Sequence, residues 1–129
     1  MPGKTMWLRS RVFALLGVGV VACVVSPPAV AETNRSAFAY VTDNAFGQLG
    51  HASVIDTSTN QVVDTVTVGS EPRGVAITPD GAFAYVVNQA TLDGNTVSVI
   101  QTSTDSVIAT VAVGTNPAQV AITPDGKFA

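Results

Sequence analysis

Two polar stretches contain most of the side chains that could bind a ligand or do chemistry. The first holds Asp43 and Asn44 and ends near His51, and the second holds Asn88, Asp93 and Asn95. Carboxylate and amide oxygens of this kind are the ligands that calcium prefers, but the spacing of an EF-hand loop with its closing glutamate is absent. Gly, Asn and Asp are also what turns require, whether or not a ligand binds. The stretches therefore predict exposed loops without a metal site.

No arrangement in the chain predicts catalysis. His51 is the only histidine, and metal or triad chemistry needs partners that the sequence does not place beside it. Glu71 and Arg73 flank Pro72, where a charge pair could line the mouth of a ligand site or form a weakly stabilising surface pair. Paired carboxylates, a P-loop and a GxGxxG motif are also missing. We expect no enzyme activity and no cofactor.

An internal repeat must position these loops. Residues Ala37–Gly81 recur as Ala82–Gly126 without a gap, with 25 of 45 aligned positions identical. A fixed period of this size indicates one supersecondary unit that buries its apolar faces against neighbouring copies. The chain is therefore expected to be part of an array.

Each copy reads as strands, because runs rich in Val, Ile, Thr and aromatic residues alternate with turn residues. Pro and Gly suit tight turns at Thr78–Gly81 and Thr123–Gly126. Both faces of several strands are apolar or small, which predicts sheets covered on both sides. The predicted strands, four per repeat with no helix, are 37–42, 52–57, 61–68, 73–78, 82–87, 96–102, 106–113 and 118–123.

The repeat resembles the YVTN-type β-propeller repeat. The resemblance rests on AFAYVTDN, SVIDTSTNQVVDTVTVG and EPRGVAITPDG, and on AFAYVVNQ, SVIQTSTDSVIATVAVG and NPAQVAITPDG in the second copy. It implies an all-β partial propeller with blades of four antiparallel strands. It also implies that the loops after the Ala-Tyr-Val strand share a face with those before the innermost strand. The candidate residues for a ligand on this face are Asp43, Asn44, His51, Glu71, Arg73, Asn88, Asp93 and Asn95.

The number of blades is small for a propeller, which closes with roughly four to eight. By the resemblance, the chain enters at the second strand of a blade, completes three strands, and then makes one whole blade at 73–113. One explanation is that the chain is a fragment of a longer repeat protein. The alternative is self-association, in which end strands of different copies complete a blade and three copies form a six-bladed ring.

The first 31 residues are predicted to be a cleaved secretory signal peptide. Lys4, Arg9 and Arg11 precede an uncharged apolar run over 12–25, and small residues at 29–31 place the cleavage after Ala31. Cys23 within VVAC is an alternative site of lipidation, as in a bacterial lipoprotein. The run is too short to span a bilayer, so no membrane span is expected after processing. The domains are thus residues 1–31, the signal peptide, and 32–129, the partial propeller.

The negative net charge of the processed chain limits which classes of partner are expected. The signal segment holds three of the six cations, so three remain against nine carboxylates, a net charge of about −6. Nucleic acid is not an expected partner, because phosphate binding needs basic clusters. We expect a secreted or cell-envelope scaffold that binds a protein or carbohydrate at the loop face, as in the surface-layer and adhesion proteins that the repeat resembles. The alternative is part of a larger lactonase-like or oxidoreductase-like propeller enzyme.

Overall fold

The chain folds into two antiparallel sheets of four strands each. A computed structural model describes residues 22–24, 37–43, 48–90 and 95–129. The first sheet has the order β1 (Ala22–Val24), β2 (Phe38–Asp43), β3 (Leu49–Asp56) and β4 (Gln61–Ser70). The second has the order β5 (Pro72–Ile77), β6 (Phe83–Asn88), β7 (Thr96–Gln101) and β8 (Ser106–Ala112). These residues include no helix long and apolar enough to cross a membrane.

The predicted strands are confirmed up to residue 113, with ends that shift by up to three residues. The predicted strand over 118–123 is wrong: this segment is not part of a sheet. A strand is defined by its ladder, and in the described chain the segment closes a turn in which the Thr123 nitrogen donates to the Phe128 carbonyl at 2.9 Å. At its other end the Ala118 carbonyl accepts from the nitrogen of Gly74 at 3.2 Å, so the segment lies beside β5.

Strand β1 lies within the segment predicted to be a signal peptide. It pairs antiparallel with β2 in the register Ala22 to Val41 and Val24 to Ala39. The three strands expected in the first sheet are present as β2, β3 and β4, and β1 lies beside β2 at the innermost position. The remainder of residues 1–31 and the cleavage point lie outside the described residues, so processing stays a prediction.

The backbone repeats with the same 45-residue period as the sequence. A left-handed φ is costly for a residue with a side chain and is uncommon outside turns. In the described chain, every residue with such a φ has a counterpart 45 positions away. The pairs are Asn60 (56°) and Asp105 (45°), Glu71 (52°) and Asn116 (62°), and Gly81 (74°) and Gly126 (72°).

Each repeat ends in a turn that the same hydrogen bonds close. The Thr78 hydroxyl donates to Asp80 Oδ1 at 2.6 Å, and the Phe83 nitrogen donates to Thr78 Oγ1 at 3.0 Å. Asp80 Oδ1 also accepts from the nitrogen of Ala82 at 3.0 Å. The same bonds recur at Thr123, Asp125, Lys127 and Phe128. The Thr-Pro-Asp-Gly motif thus specifies the turn through side chains as well as through Pro and Gly.

The two sheets pack face to face. We call the face of each sheet that carries the tyrosine of the Ala-Tyr-Val motif its front face, and the opposite face its back face. The front face of the first sheet contributes Tyr40, Ala52, Val54, Val66 and Val68 to the core, and the back face of the second contributes Val75, Ala84, Val86 and Ile100. All nine side chains are buried. The interface between the two sheets is thus the hydrophobic core of the chain.

Candidate functional site

The polar loops meet along one edge of the two sheets, as the resemblance implies. The Gln89 nitrogen donates to the Glu71 carbonyl at 3.1 Å, and Gln89 Nε2 donates to Asn116 Oδ1 at 2.8 Å. The Asn116 nitrogen in turn donates to Asn95 Oδ1 at 2.9 Å. We call this region the loop edge, and it comprises Asp43, Gly50, His51, Gly69–Arg73, Asn88, Gln89, Asn95 and Gly114–Pro117.

Glu71 sits in a constrained part of the loop edge. Its φ of 52° is left-handed, and the residue is only 6% exposed. Pro72 behind it is packed so closely that a Cβ added to Gly50 would lie 2.1 Å from the proline Cδ. The Arg73 side chain is exposed. The backbone carbonyl of Arg73 accepts a hydrogen bond from the Thr42 hydroxyl at 2.8 Å. Of the predicted charge pair, only the arginine therefore faces solvent.

Asn88 is a buried contact between the sheets. Its side chain is fully buried, and its Nδ2 donates to Thr96 Oγ1 at 3.0 Å and to Ser98 Oγ at 2.9 Å. A Cβ added to Gly69 would lie 2.6 Å from Asn88 Cγ, so the glycine leaves the space that the amide fills. Within the described chain, Asn88 Oδ1 has no hydrogen-bond partner. The sequence placed Asn88 on the ligand face, and the structure places it beneath that face.

Asp43 and His51 form the corresponding position in the first sheet. They are direct partners in the register of β2 and β3, as Asn88 and Thr96 are in β6 and β7. Asp43 is exposed and His51 is half-buried. The two side chains thus share one end of the back face of the first sheet. The remaining candidates, Asn44 and Asp93, lie outside the described residues.

The loop edge offers hydrogen bonds more than acid-base chemistry. In the described ranges, no three His, Cys, Asp or Glu side chains are close enough together to hold a metal ion. The polar side chains that the structure brings together at the surface are the amides of Gln89, Asn95 and Asn116. Gln89 and Asn116 are not among the candidates predicted from the sequence, although their counterparts Asn44 and Glu71 are. Their signal was their place in the loops that vary most between copies.

The opposite edge of the sheets joins the two repeats. The Tyr40 hydroxyl donates to Asp105 Oδ1 in the hairpin turn between β7 and β8. Burial, and then the hydrogen bond to the Asp105 carboxylate, raise the pKa of Tyr40 well above its usual range. The Thr78 hydroxyl, and then the Ala82 nitrogen, lower the pKa of Asp80. These groups are used within the fold, so this edge is structural.

Comparison with known proteins supports the fold. No protein-family model and no curated protein matches the chain. The solved structure of Kuenenia stuttgartiensis hydrazine synthase is similar, with a TM-score of 0.63 and 31% sequence identity over 70% of this chain. The match covers 24% of that chain, so the present chain spans about a quarter of its length. Hydrazine synthase is a β-propeller-containing complex, and the fold described above is propeller-like.

Proposed function

We propose that the chain is an exported scaffold of YVTN-type repeats whose loop edge binds a protein or carbohydrate at the cell envelope or outside the cell. The observation that carries the proposal is the hydrogen-bonded row from Gln89 through Asn116 to Asn95 on a two-sheet framework. Recognition residues commonly lie on loops that a rigid framework positions. Neutral amides offer both donors and acceptors, which suit the hydroxyl and amide groups of a polar ligand.

Binding is tested with the chain displayed against a glycan array and against extracts of envelope proteins. We expect Gln89→Ala and Asn116→Ala to reduce retention by about tenfold, since each removes hydrogen bonds to a polar group. Thr104→Ala is the matched control, because Thr104 is an exposed polar residue in the hairpin turn of the opposite edge. Retention that falls equally in the control, or that neither loop-edge substitution changes, contradicts the proposal.

Export is tested by mass spectrometry of the N-terminus recovered from the cell envelope and the medium. Cleavage after Ala31 leaves Glu32 as the first residue, whereas lipidation leaves an acylated Cys23. Either product supports an exported chain and decides between its two forms. An intact Met1 on protein found only inside the cell contradicts export.

A second candidate function is a propeller-like part of a larger enzyme, lactonase-like or oxidoreductase-like. The similarity to hydrazine synthase favours it, because that protein is an enzyme and the match covers only part of it. The reacting groups would then belong to other parts of the enzyme. Turnover of a lactone or of a redox dye by a native complex that contains the chain, and none by the isolated chain, would favour this candidate over the scaffold.

A further inference from the structure

The front faces of the two sheets carry the same valines, but this face is buried in the first sheet and exposed in the second. Val66 and Val68 of β4 are each 5% exposed, whereas their counterparts Val111 and Val113 are 48% and 41% exposed. Together with Tyr85 and Val97, these valines line an apolar groove of about 390 Å³. Within the described residues, no sheet packs on this groove as the second sheet packs on the front face of the first.

Residues 117–121, after β8, line one side of this groove, and they correspond in the repeat to residues 72–76, which include most of β5. Val120 and Ala121 line the groove, and they occupy the repeat positions of Val75 and Ala76 in β5. The segment therefore has the sequence and the position of an innermost strand. Within the described residues, this segment does not pair with a second, third and fourth strand as β5 does with β6, β7 and β8.

We propose that a second copy of this chain supplies these strands, by docking the back face of its first sheet on the front face of the second sheet of its neighbour. Four residues at the centre of the existing interface recur on the docking face. Ala84, Val86, Ser98 and Ile100 are at most 2% exposed in the second sheet, and their counterparts in the first sheet are Ala39, Val41, Ser53 and Ile55. Apart from Ala39, these counterparts are only partly buried.

Space for the docked copy is present at Gly114. Its counterpart Gly69 faces Asn88 across the existing interface, and a Cβ there would lie 2.6 Å from the asparagine Cγ. At Gly114, no atom lies within 4 Å of such a Cβ. The second copy would place Asp43 there, since Asp43 is the counterpart of Asn88.

The strand order of the composite sheet follows from the registers. Ala22–Val24 occupy the same register on β2 as Val75–Ile77 occupy on β6. Residues 120–122 of the first copy read Val-Ala-Ile, as do residues 75–77, whereas β1 reads Ala-Cys-Val. In the assembly, residues 120–122 therefore replace β1 on the second copy. Phe38 and Ala39 of that copy take the place of Phe128 and Ala129, which have the same side chains.

The interface also contains one specific hydrogen bond. Within the chain, Tyr40 on the front face donates to Asp105 in the hairpin turn of the next sheet. The counterparts are Tyr85 and Asn60, so Tyr85 of the first copy would donate to the Asn60 side chain of the second. Because different surfaces meet, the association is head-to-tail and extends beyond a dimer unless the ring closes at two copies. Two sheets per copy give rings of about two to four copies, from the blade number of propellers.

The oligomeric state of the full chain, measured by sedimentation over a range of concentrations, tests the proposal. We expect assemblies whose mass falls on dilution. Val111→Asp should weaken association by at least about a hundredfold, since it places an unpaired charge in the interface. Ile108→Asp is the matched control, because Ile108 is 54% exposed on the same strand and does not line the groove. A monomer at every concentration, or equal effects of both variants, overturns the proposal.

A crosslink supplies a test that does not depend on the stability of the aspartate variants. Chains carrying Asp43→Cys are mixed with chains carrying Gly114→Cys, both with Cys23→Ser. A Cβ on Gly69 lies 2.9 Å from Asn88 Cβ in the existing interface, so small shifts bring the new pair into disulfide range. We expect a mixed disulfide in most chains under mild oxidation. No mixed disulfide, or an equal yield when Ile108→Cys replaces Gly114→Cys, overturns the proposal.

Discussion

The two sheets are built from nearly the same sequence, yet they differ in what covers their front faces. The front face of the first sheet packs on the second sheet, so Val66 is 5% exposed, whereas Val111 at the same repeat position is 48% exposed. Val63 on β4 and its counterpart Ile108 on β8 do not differ in this way, because each is 54% exposed and lies outside the core. Burial in this chain is thus set by the neighbouring repeat, because the local sequence is the same.

The largest expected difference concerns the isoleucine on the back face of each sheet. Ile100 is fully buried, and Ile55 is only partly buried. Ile100→Ala should lower the free energy of unfolding by about 3 kcal/mol, since it leaves a cavity between the sheets. Ile55→Ala should cost about 1 kcal/mol, because its site is open. Urea denaturation of dilute protein measures both, and equal losses would contradict the difference between the two faces.

Gly69, near the end of β4, and its counterpart Gly114, after the end of β8, sharpen the comparison. Gly69→Ala should cost about 2 kcal/mol, because its Cβ would overlap the Asn88 side chain unless the sheets shift. Gly114→Ala should change the stability of the monomer by less than about 0.5 kcal/mol, as surface substitutions usually do. Thermal unfolding of the two variants gives the comparison directly. A Gly114→Ala variant as unstable as Gly69→Ala would show that the groove is already filled.

The tyrosines on the front faces provide a smaller effect and a pH dependence. Tyr40→Phe should cost about 1 kcal/mol at neutral pH through the lost hydrogen bond to Asp105. Since the pKa of Tyr40 is raised in the folded state, its contribution is complete below the unfolded pKa of about 10 and is lost as the pH rises above it. The variant should therefore lose less stability than the wild type above pH 10. Alkaline denaturation followed by circular dichroism measures this, and identical alkaline slopes would contradict it.

The smallest expected effect lies at the turns, where the two repeats form the same threonine-aspartate hydrogen bond. Hydrogen bonds from Thr78 and Thr123 are the main causes that lower the pKa values of Asp80 and Asp125. A lowered pKa gives stability that is present above the unfolded pKa of about 3.9 and is lost as the pH falls through the folded value. Asp80→Asn and Asp125→Asn should each slightly reduce the acid dependence of unfolding. Acid titrations that differ strongly between them would show that the turns are not equivalent.

Much of the fold could be predicted from the sequence, because local chemistry specifies it. Thr78–Gly81 and Thr123–Gly126 carry their own hydrogen-bond partners, and the valine-rich strands between turns are unambiguous. Strand β1 could not be predicted, since its apolar residues also fit an export signal. The absence of a strand over 118–123 could not be predicted either, because a strand needs a hydrogen-bonded partner. Residues 120–122 read Val-Ala-Ile, as do residues 75–77, which do form a strand.

The candidate site was only partly predictable. The gathering of the loops at one edge followed from the repeat resemblance, and the contacts among Gln89, Asn95 and Asn116 agree with it. The burial of Glu71 and Asn88 could not be predicted, because it depends on a left-handed φ and on the space beside Gly69. Polar residues in loops give no sequence signal that separates those under the surface from those on it.

Thiol labelling at two equivalent positions tests most directly whether neighbouring repeats decide burial. Val66→Cys and Val111→Cys are made separately with Cys23→Ser and labelled at a dilution where the chain is monomeric. Because Val66 is 5% exposed and Val111 is 48% exposed, the cysteine at position 111 should react at least about tenfold faster, while position 66 reacts only when the sheets open. Equal labelling rates at the two positions would contradict the account.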